Sequence, residues 1–377
     1  MKPSLTFYTN IPSPYNINFF EALSVHFELK VVYYSAIEKD RQWTLVEGAD
    51  TYRKTCLDNN KLALLVQKKK TDFHFSNSII MEAFTDKSSF VVVGGNYYIP
   101  NTLVVLAVAK LRGKKILWYG ERLFPTASKI RFIIKKILLL PLRICCKRVL
   151  CVGKTAAGSY RLHGIDKPMD IIPYNIDSSR YDKEHLQDMR VRMLKQELNA
   201  NGKMIILTSG SLIFRKGMDI AIESFLALPD ELKNKCELWI MGDGELRDSL
   251  QSTANNHSNI KFLGFKEQDE IPFYYAAADV FLFCSRYDGW GVVINEAISS
   301  GLPVVVSDAV VASELIHEGK GGYVCASESV AWFQAALEKI LRDRELRNSM
   351  GVYNKLQSLQ WNSNAMALKL SKICEHF

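Results

Sequence analysis

The sequence predicts an α/β protein made of two doubly wound parallel sheets. Three observations carry this. Short runs such as Phe90–Val93, Val280–Phe283 and Pro303–Val306 are apolar throughout, as strands covered on both faces must be. They alternate with stretches whose apolar residues recur at helical spacing, the pattern of βαβ units. The alternation begins again after a polar segment, Pro173–Arg180, and a charged one, Tyr181–Gln196. A chain of 377 residues is long enough for two cores of ordinary size. The expected domains are residues 1–176 and 177–358, with a last segment, 359–377, crossing back to the first domain.

In the first half, strands are expected at Leu5–Tyr8, Leu29–Tyr34, Phe90–Val93, Lys115–Trp118, Val149–Val152 and Asp170–Ile172. Helices are expected at Ile17–Val25, Asn101–Leu111 and Ile130–Lys147, the last broken by Pro141. In the second half the strands are Met204–Thr208, Glu237–Met241, Ile260–Phe262, Val280–Phe283 and Pro303–Val306. The helices there are Met218–Leu228, Leu246–Ala254, Ile271–Ala277, Val292–Ser300 and Ser329–Leu341, and Trp361–Phe377 is amphipathic. The uncharged stretch Ser88–Ala109 is long enough to cross a bilayer, but Gly94-Gly95-Asn96 and Pro100-Asn101 break it into strand, loop and helix. Open α/β sheets bind ligands at their strand C-termini, so both domains should present those loops to a shared cleft.

The composition, 48% apolar and 23% charged, excludes disordered and fibrous classes. Eight cysteines include no C-x-x-C pair, which argues against structural zinc and against a secreted disulfide framework. With no long apolar run in the first twenty residues, no secretory signal is read. Together these place the protein in the reducing cytosol.

Charge is unevenly spread. Residues 1–180 hold 27 Lys/Arg against 14 Asp/Glu, a net +13, while 181–377 hold 21 against 26, a net −5. Lys110–Lys154 contains 13 basic residues and one acid, Glu121. Such a face either is simply solvated or attracts an anionic partner. In Lys129–Arg148 the apolar residues and the basic ones alternate at roughly helical spacing, which suits a helix lying on anionic lipid. The same apolar face would also pack on a sheet, leaving only a basic rim exposed. No nucleic-acid reading motif is found, so nucleic acid is not an expected partner.

Three segments carry chemistry. In residues 208–225 a strand ends at Ser209-Gly210 and a helix starts near Gly217, so Arg215 and Lys216 stand beside free backbone N–H groups. That makes an anion site, unless the two are ordinary loop cations. In residues 284–308 a buried strand is followed by Asp288-Gly289-Trp290-Gly291 and a helix from Val292. The glycines allow close backbone approach to a ligand. Glu296 lies in the second turn of that helix among apolar residues, where an acid without a partner is costly. It is either a binding carboxylate or a helix-stabilising one. The third segment, Gly242-Asp243-Gly244 after a strand, leaves room for a ligand but is also routine in tight turns.

Taken in order, Lys216-Gly217, Gly242-Asp243-Gly244, Ala278-Asp279-Val280, Ser285, Asp288-Gly289-Trp290-Gly291, Glu296-Ala297 and Gly301-Leu302-Pro303-Val304 resemble the C-terminal half of glycosyltransferase family 4. That is a large retaining family with the GT-B fold, two Rossmann-like domains facing a cleft. The strong likeness covers residues 204–310; residues 1–203 match loosely, through Ile11–Leu23, Gly94-Gly95 and Ile172–Asp177. Four positions depart from the family pattern: Ser211 replaces an Arg, Asp288 a Glu, Trp290 a Phe and Cys284 a Pro. The His that many relatives carry after the fourth strand is lacking, and Tyr119-Gly120-Glu121 is read in its place.

The resemblance implies transfer of a sugar from a nucleotide-sugar donor to a glycan or lipid-linked saccharide, with retention, in surface polysaccharide biosynthesis. Arg215 and Lys216, with the N–H groups of Gly289, Trp290, Gly291 and Val292, would hold the leaving diphosphate. Asp288 would touch the transferred sugar or its phosphate, and Glu296 the ribose hydroxyls. Gly210, Gly242 and the backbone around Leu263 complete the implied donor side. No Asp-x-Asp occurs in the chain, so no metal is expected and no cofactor beyond the nucleotide sugar. On the acceptor side, loop positions point to Tyr15, Asn96 and Glu121, with Tyr15 and Tyr119 either stacking on a sugar or buried. A lipid-linked acceptor would bring Lys129–Arg148 to the inner face of the cell membrane. Two other readings share the architecture: a sugar-nucleotide epimerase, and a degenerate GT-B scaffold or partner protein.

Overall fold

The computed structural model describes residues 2–37, 51–126, 128–182, 186, 188–255 and 257–377. The chain divides into one unit up to Ile176 that also takes in Ser363–Phe377, and a second, Asp177–Asn362. Residues 183–185 and 187 of the charged stretch lie outside the described residues.

In the first unit the order is β1 (Ser4–Thr9), α1 (Pro14–His26), β2 (Glu28–Tyr33), β3 (Arg53–Cys56), α2 (Lys61–Val66), α3 (Ile79–Thr85), β4 (Phe90–Gly94), α4 (Pro100–Leu111), β5 (Lys115–Gly120), α5 (Lys129–Leu138), α6 (Leu140–Cys145), β6 (Arg148–Cys151), α7 (Lys154–Leu162) and β7 (Met169–Ile171). The sheet runs β3-β2-β1-β4-β5-β6-β7, with every pair parallel. β4 is buried along its whole length, which is why its sequence is apolar at each position. β3 reads Arg-Lys-Thr-Cys and is largely exposed. It is an edge strand with one neighbour, so its side chains need no apolar pattern, and periodicity misses it. The expected helix over Ile130–Lys147 is two helices that meet at Leu139. Pro141 lies in the first turn of α6, where its missing N–H costs nothing, whereas within one continuous helix it would break a bond.

The second unit continues with α8 (Asp188–Glu197), β8 (Met204–Ser209), α9 (Met218–Leu226), α10 (Asp230–Lys233), β9 (Cys236–Met241), α11 (Arg247–Thr253), β10 (Ile260–Gly264), α12 (Ile271–Ala277), β11 (Val280–Phe283), α13 (Val292–Ser299), β12 (Val304–Ser307), β13 (Gly322–Cys325), α14 (Val330–Arg342) and α15 (Arg344–Ser358). Its parallel sheet runs β10-β9-β8-β11-β12-β13. Ile206, Leu238, Ile240, Leu282 and Val305 from the strands pack with Phe225, Phe333, Leu337 and Ile340 from α9 and α14. The charged stretch read as a separator contributes α8, which packs on α12. β13 escapes a pattern search because it is a four-residue edge strand beginning at Gly322. α16 (Ser363–Glu375) belongs to the first unit and packs on α1. Its buried residues Met366, Ala367, Leu370, Ile373 and Cys374 form one helical stripe.

In each sheet two strands mark the point where the connections turn in opposite directions: β1 and β4 in the first, β8 and β11 in the second. The crevice beyond their C-termini is where such sheets bind ligands.

Candidate active site

β8 and β11 deliver the two halves of the strongest candidate. After β8 the chain makes one 3₁₀ turn, Phe214–Lys216, closed by Gly217 at φ 64°. A side chain at Gly217 would overlap the carbonyl of Cys284, just past β11. The missing Cβ therefore lets the cation-bearing turn lie against the end of the neighbouring strand. The aliphatic stem of Lys216 passes over Gly210, itself at φ 148°.

Asp288 comes from the loop after β11. Its Oδ2 is 2.5 Å from Lys216 Nζ and 3.4 Å from Arg215 Nη1. Arg215 Nη1 also donates to the Tyr287 carbonyl at 2.8 Å. The three predicted charged residues are thus brought together, two cations around one carboxylate. Lys216 and Asp288 are mostly buried, whereas Arg215 is 44% exposed. Gly291, at φ 97°, caps α13, and a side chain there would strike Val310. Gly289 lies between Asp288 and the cap, and Val292 opens the helix, so free N–H groups of α13 follow the carboxylate closely in the chain.

Trp290 is expected to offer its backbone N–H, which here donates to Asp288 Oδ1 at 3.3 Å. Its ring is buried, and Nε1 donates to Asn295 Oδ1 at 2.8 Å. It anchors the loop to α13 and presents no aromatic face to a donor. Gly242 brings two loops together. A Cβ there would overlap the carbonyl of Gly210, and Gly210 N donates to Met241 O at 3.0 Å. The missing Cβ lets the loops after β8 and β9 touch. Leu263 lies at a register shift between Phe262 and Gly264, without a pairing partner in β9. Its backbone is therefore the one on β10 released from the ladder.

Glu296 is 1% exposed. Tyr181 OH donates to Oε1 and Tyr275 OH to Oε2, each at 2.8 Å. These donors resolve the cost of an acid buried among apolar neighbours. A ribose would have to use the lone pairs that remain. Tyr181 opens the charged stretch between the two strand-helix series, 115 positions from Glu296, and no local sequence signal announces it.

Sequence reasoning also missed Arg286 and Asp219. The Arg286 guanidinium holds Asp219 through two bonds, Nη1 to Oδ1 at 2.9 Å and Nη2 to Oδ2 at 2.7 Å. Burial pushes the Asp219 carboxyl up, but hydrogen bonds and charge from Arg286 outweigh it and hold the group below the ordinary carboxylate range. An acid in the first turn of α9 and an Arg two residues before Asp288 were the available signals.

In the first unit, Asn96 follows β4 and donates through Nδ2 to Asp72 Oδ2 at 2.5 Å, and Tyr98 OH donates to the same oxygen at 3.1 Å. Glu121 follows β5 and accepts from Tyr174 OH at 2.8 Å. Tyr15 is half-buried in the first turn of α1. Tyr119 is buried and meets Phe7 and Tyr174 edge-on, so it is a core residue and no platform for a sugar. The structure gathers Asn96 with Asp72, which sequence reasoning did not single out.

α5 has no buried residue. Ile130, Ile133, Ile134 and Ile137 are all exposed, and Ile144 on α6 with them. Among the described residues, no three or more His, Cys, Asp or Glu are arranged to hold a metal ion, and no helix is long and apolar enough to cross a membrane. All eight cysteines are free.

Residues 190–357, which include Lys216, Asp288 and Glu296, match the family described as glycosyl transferases group 1. The sulfoquinovosyl transferase SQD2 of Arabidopsis thaliana is 28% identical over 251 residues, 65% of this chain and 46% of its own. The lipopolysaccharide core biosynthesis glycosyltransferase LpsE of Rhizobium meliloti is 30% identical over 149 residues, 39% of this chain and 42% of its own. The chain thus spans less than half the length of either relative. The crystal structure of Anabaena Alr3699/HepE in complex with UDP is similar over 99% of this chain and 100% of that one, with a TM-score of 0.78 at 15% identity. That likeness shows the fold, which is GT-B with two Rossmann-like domains.

Proposed function

We propose that this chain is a retaining glycosyltransferase that moves a sugar from a nucleoside-diphosphate sugar to a saccharide or lipid-linked acceptor, in the assembly of a surface polysaccharide. The observation that carries the reading is the placement of Lys216 and Arg215 around Asp288 at the β8/β11 turning point. Two cations in a partly buried crevice stabilise the charge that grows on a departing diphosphate, and no metal is needed for that. The match to group 1 glycosyl transferases, the names of the two relatives and the UDP of the Anabaena complex support it.

In this reading the second unit holds the donor. The bond from the anomeric carbon to the phosphate oxygen breaks as the acceptor oxygen attacks from the same side. The acceptor proton passes to a donor phosphate oxygen. Asp288 releases the two cations to the diphosphate and turns to the sugar. Glu296 accepts from the ribose, and the free backbone at Leu263 reads the base. The first unit receives the acceptor near Asn96, Asp72 and Glu121.

The test is thermal unfolding with UDP, GDP, dTDP and ADP, each with and without EDTA. A ligand at a hundred times its Kd stabilises by about 2.7 kcal/mol, several degrees for domains of this size. One base should raise Tm, and EDTA should leave the rise unchanged. No rise with any of the four overturns the reading in favour of a scaffold.

We infer that the partner of α5 is an anionic bilayer at the inner face of the cell membrane. Its four exposed isoleucines recur at helical spacing, and Lys129, Arg131, Lys135 and Lys136 flank them. This is the composition of a helix that lies in the interface plane. Vesicles of phosphatidylglycerol should bind the protein in a salt-sensitive way, and phosphatidylcholine vesicles should not. Ile133→Glu with Ile137→Glu should abolish binding; unchanged binding by that variant overturns the assignment.

A further inference from the structure

We infer that Arg286 is a positioning residue: it sets the geometry of the Phe214–Lys216 turn so that Arg215 and Lys216 meet the diphosphate. The inference rests on the proposed anion site and names what holds it in shape.

The turn is a single 3₁₀ turn at the end of a strand, with Phe214 and Arg215 exposed. Such a turn has little packing of its own. Arg286 supplies what it lacks. Nη1 donates to the Phe214 carbonyl at 2.8 Å, and the guanidinium lies over the Phe214 ring at 4.0 Å. The backbone N–H of Arg286 donates to the Arg215 carbonyl at 2.8 Å, and Ser285 Oγ donates to the same carbonyl at 3.0 Å. Two successive carbonyls of the cation-bearing turn are thus fixed from one short segment after β11.

Arg286 is itself locked. Asp219, in the first turn of α9, takes both of its Nη atoms, and Glu328 Oε1 accepts from Nε at 2.8 Å. Glu328 has φ 66°, a conformation that a non-glycine residue rarely adopts. With two carboxylates and a carbonyl on it, and a side chain only 14% exposed, the guanidinium is not a free cation for phosphate. Its fork holds a planar set of acceptors that an ammonium does not match. Segments 214–219, 285–288 and 328 are therefore tied through one side chain, and Asp288 is two residues from it.

The experiment uses the full chain as wild type, Arg286→Lys and Asp219→Asn. For each, Tm is measured with the affinities for UDP, GDP, dTDP and ADP and for the matching nucleosides, and kcat and KM are measured with the donor the wild type uses. A displaced turn loses phosphate contacts and keeps base contacts. Arg286→Lys should therefore bind the diphosphate about ten-fold more weakly, bind the nucleoside as the wild type does, and lose about a hundred-fold in kcat. Asp219→Asn, which keeps the Arg but weakens its lock, should shift in the same sense by less. Wild-type diphosphate affinity in Arg286→Lys overturns the positioning role alone. Equal loss of nucleoside and diphosphate affinity with a fallen Tm overturns it too, since that is general loosening. If the wild type binds none of the four diphosphates, the anion-site reading falls and this one with it.

Discussion

Asp288 Oδ2 lies 2.5 Å from Lys216 Nζ and 3.4 Å from Arg215 Nη1, so a single carboxylate oxygen engages both cations of the crevice. A phosphate oxygen seeking those cations competes with it. Removing the negative charge while keeping the shape should therefore separate binding from turnover. Asp288→Asn is expected to bind its nucleoside diphosphate about three- to ten-fold more tightly. It should turn over the sugar donor about a hundred-fold more slowly, because the group released to the sugar is gone. Calorimetry with the diphosphate and initial rates with the donor check the two halves. Weaker diphosphate binding in this variant would contradict the competition.

Lys216 is the more buried of the two cations, 15% exposed against 44% for Arg215. Its charge is less screened and should matter more at the transition state. Lys216→Ala is expected to lose roughly a hundred-fold or more in kcat, the scale for one transition-state donor. Arg215→Ala should lose less. Near-normal turnover in Lys216→Ala would remove the basis of the assignment.

Glu296 carries one tyrosine hydroxyl on each oxygen. Removing either hydroxyl leaves a buried carboxylate oxygen with one donor fewer. Tyr181→Phe and Tyr275→Phe should each destabilise the protein by about 1–3 kcal/mol, as is usual when a hydrogen bond to a buried charged group is lost. Glu296→Gln retains an acceptor and removes the charge, so it should weaken donor binding more than it lowers stability. Urea denaturation and donor titration together distinguish the two kinds of effect.

The Asp219 carboxyl is buried in part, which pushes it up, but the Arg286 fork outweighs this and holds it below its ordinary range. A folded-state pKa below the unfolded one contributes stability that is present above the unfolded value, about 3.9 for Asp. That contribution is lost as pH falls through the folded value. The stability difference between wild type and Asp219→Asn should therefore be constant near neutral pH and shrink below about pH 4. Denaturation curves at pH 7, 5, 4 and 3 check the sign. A difference that grows on acidification would mean that the carboxyl is not the partner that holds Arg286.

The sheets were legible because parallel strands buried on both faces must be apolar, as β4, β11 and β12 are. Edge strands β3 and β13 were not, since one neighbour and an exposed face remove that constraint. The cluster of Arg215, Lys216 and Asp288 was legible for a different reason. Lys216 and Asp288 each stand a few residues beyond an apolar strand, and the sheet order then makes those strands neighbours. What was not legible is pairing across long separations with no periodicity to announce it. Tyr181 with Glu296, Arg286 with Asp219 and Asn96 with Asp72 are each set by tertiary packing. Trp290 shows the converse: a prominent loop aromatic whose ring, bonded to Asn295, turned inward.

Gly242 tests how the crevice is built. A Cβ at this position overlaps the backbone carbonyl of Gly210, and the residue is at φ 134°. Neither backbone can yield, since Gly210 N is bonded to Met241 O and Gly242 N to Gly264 O. Gly242→Ala should therefore destabilise the protein by about 2–4 kcal/mol, combining steric overlap with backbone strain. Gly113→Ala is the control, because Gly113 is at φ 67° with nothing within 4 Å of a Cβ. It should carry only the conformational part, about 1 kcal/mol. The larger effect at Gly242 should come with weaker diphosphate binding, because Gly210 also underlies the stem of Lys216. If Gly242→Ala matched Gly113→Ala in both stability and diphosphate affinity, the loops after β8 and β9 would not be in contact as described.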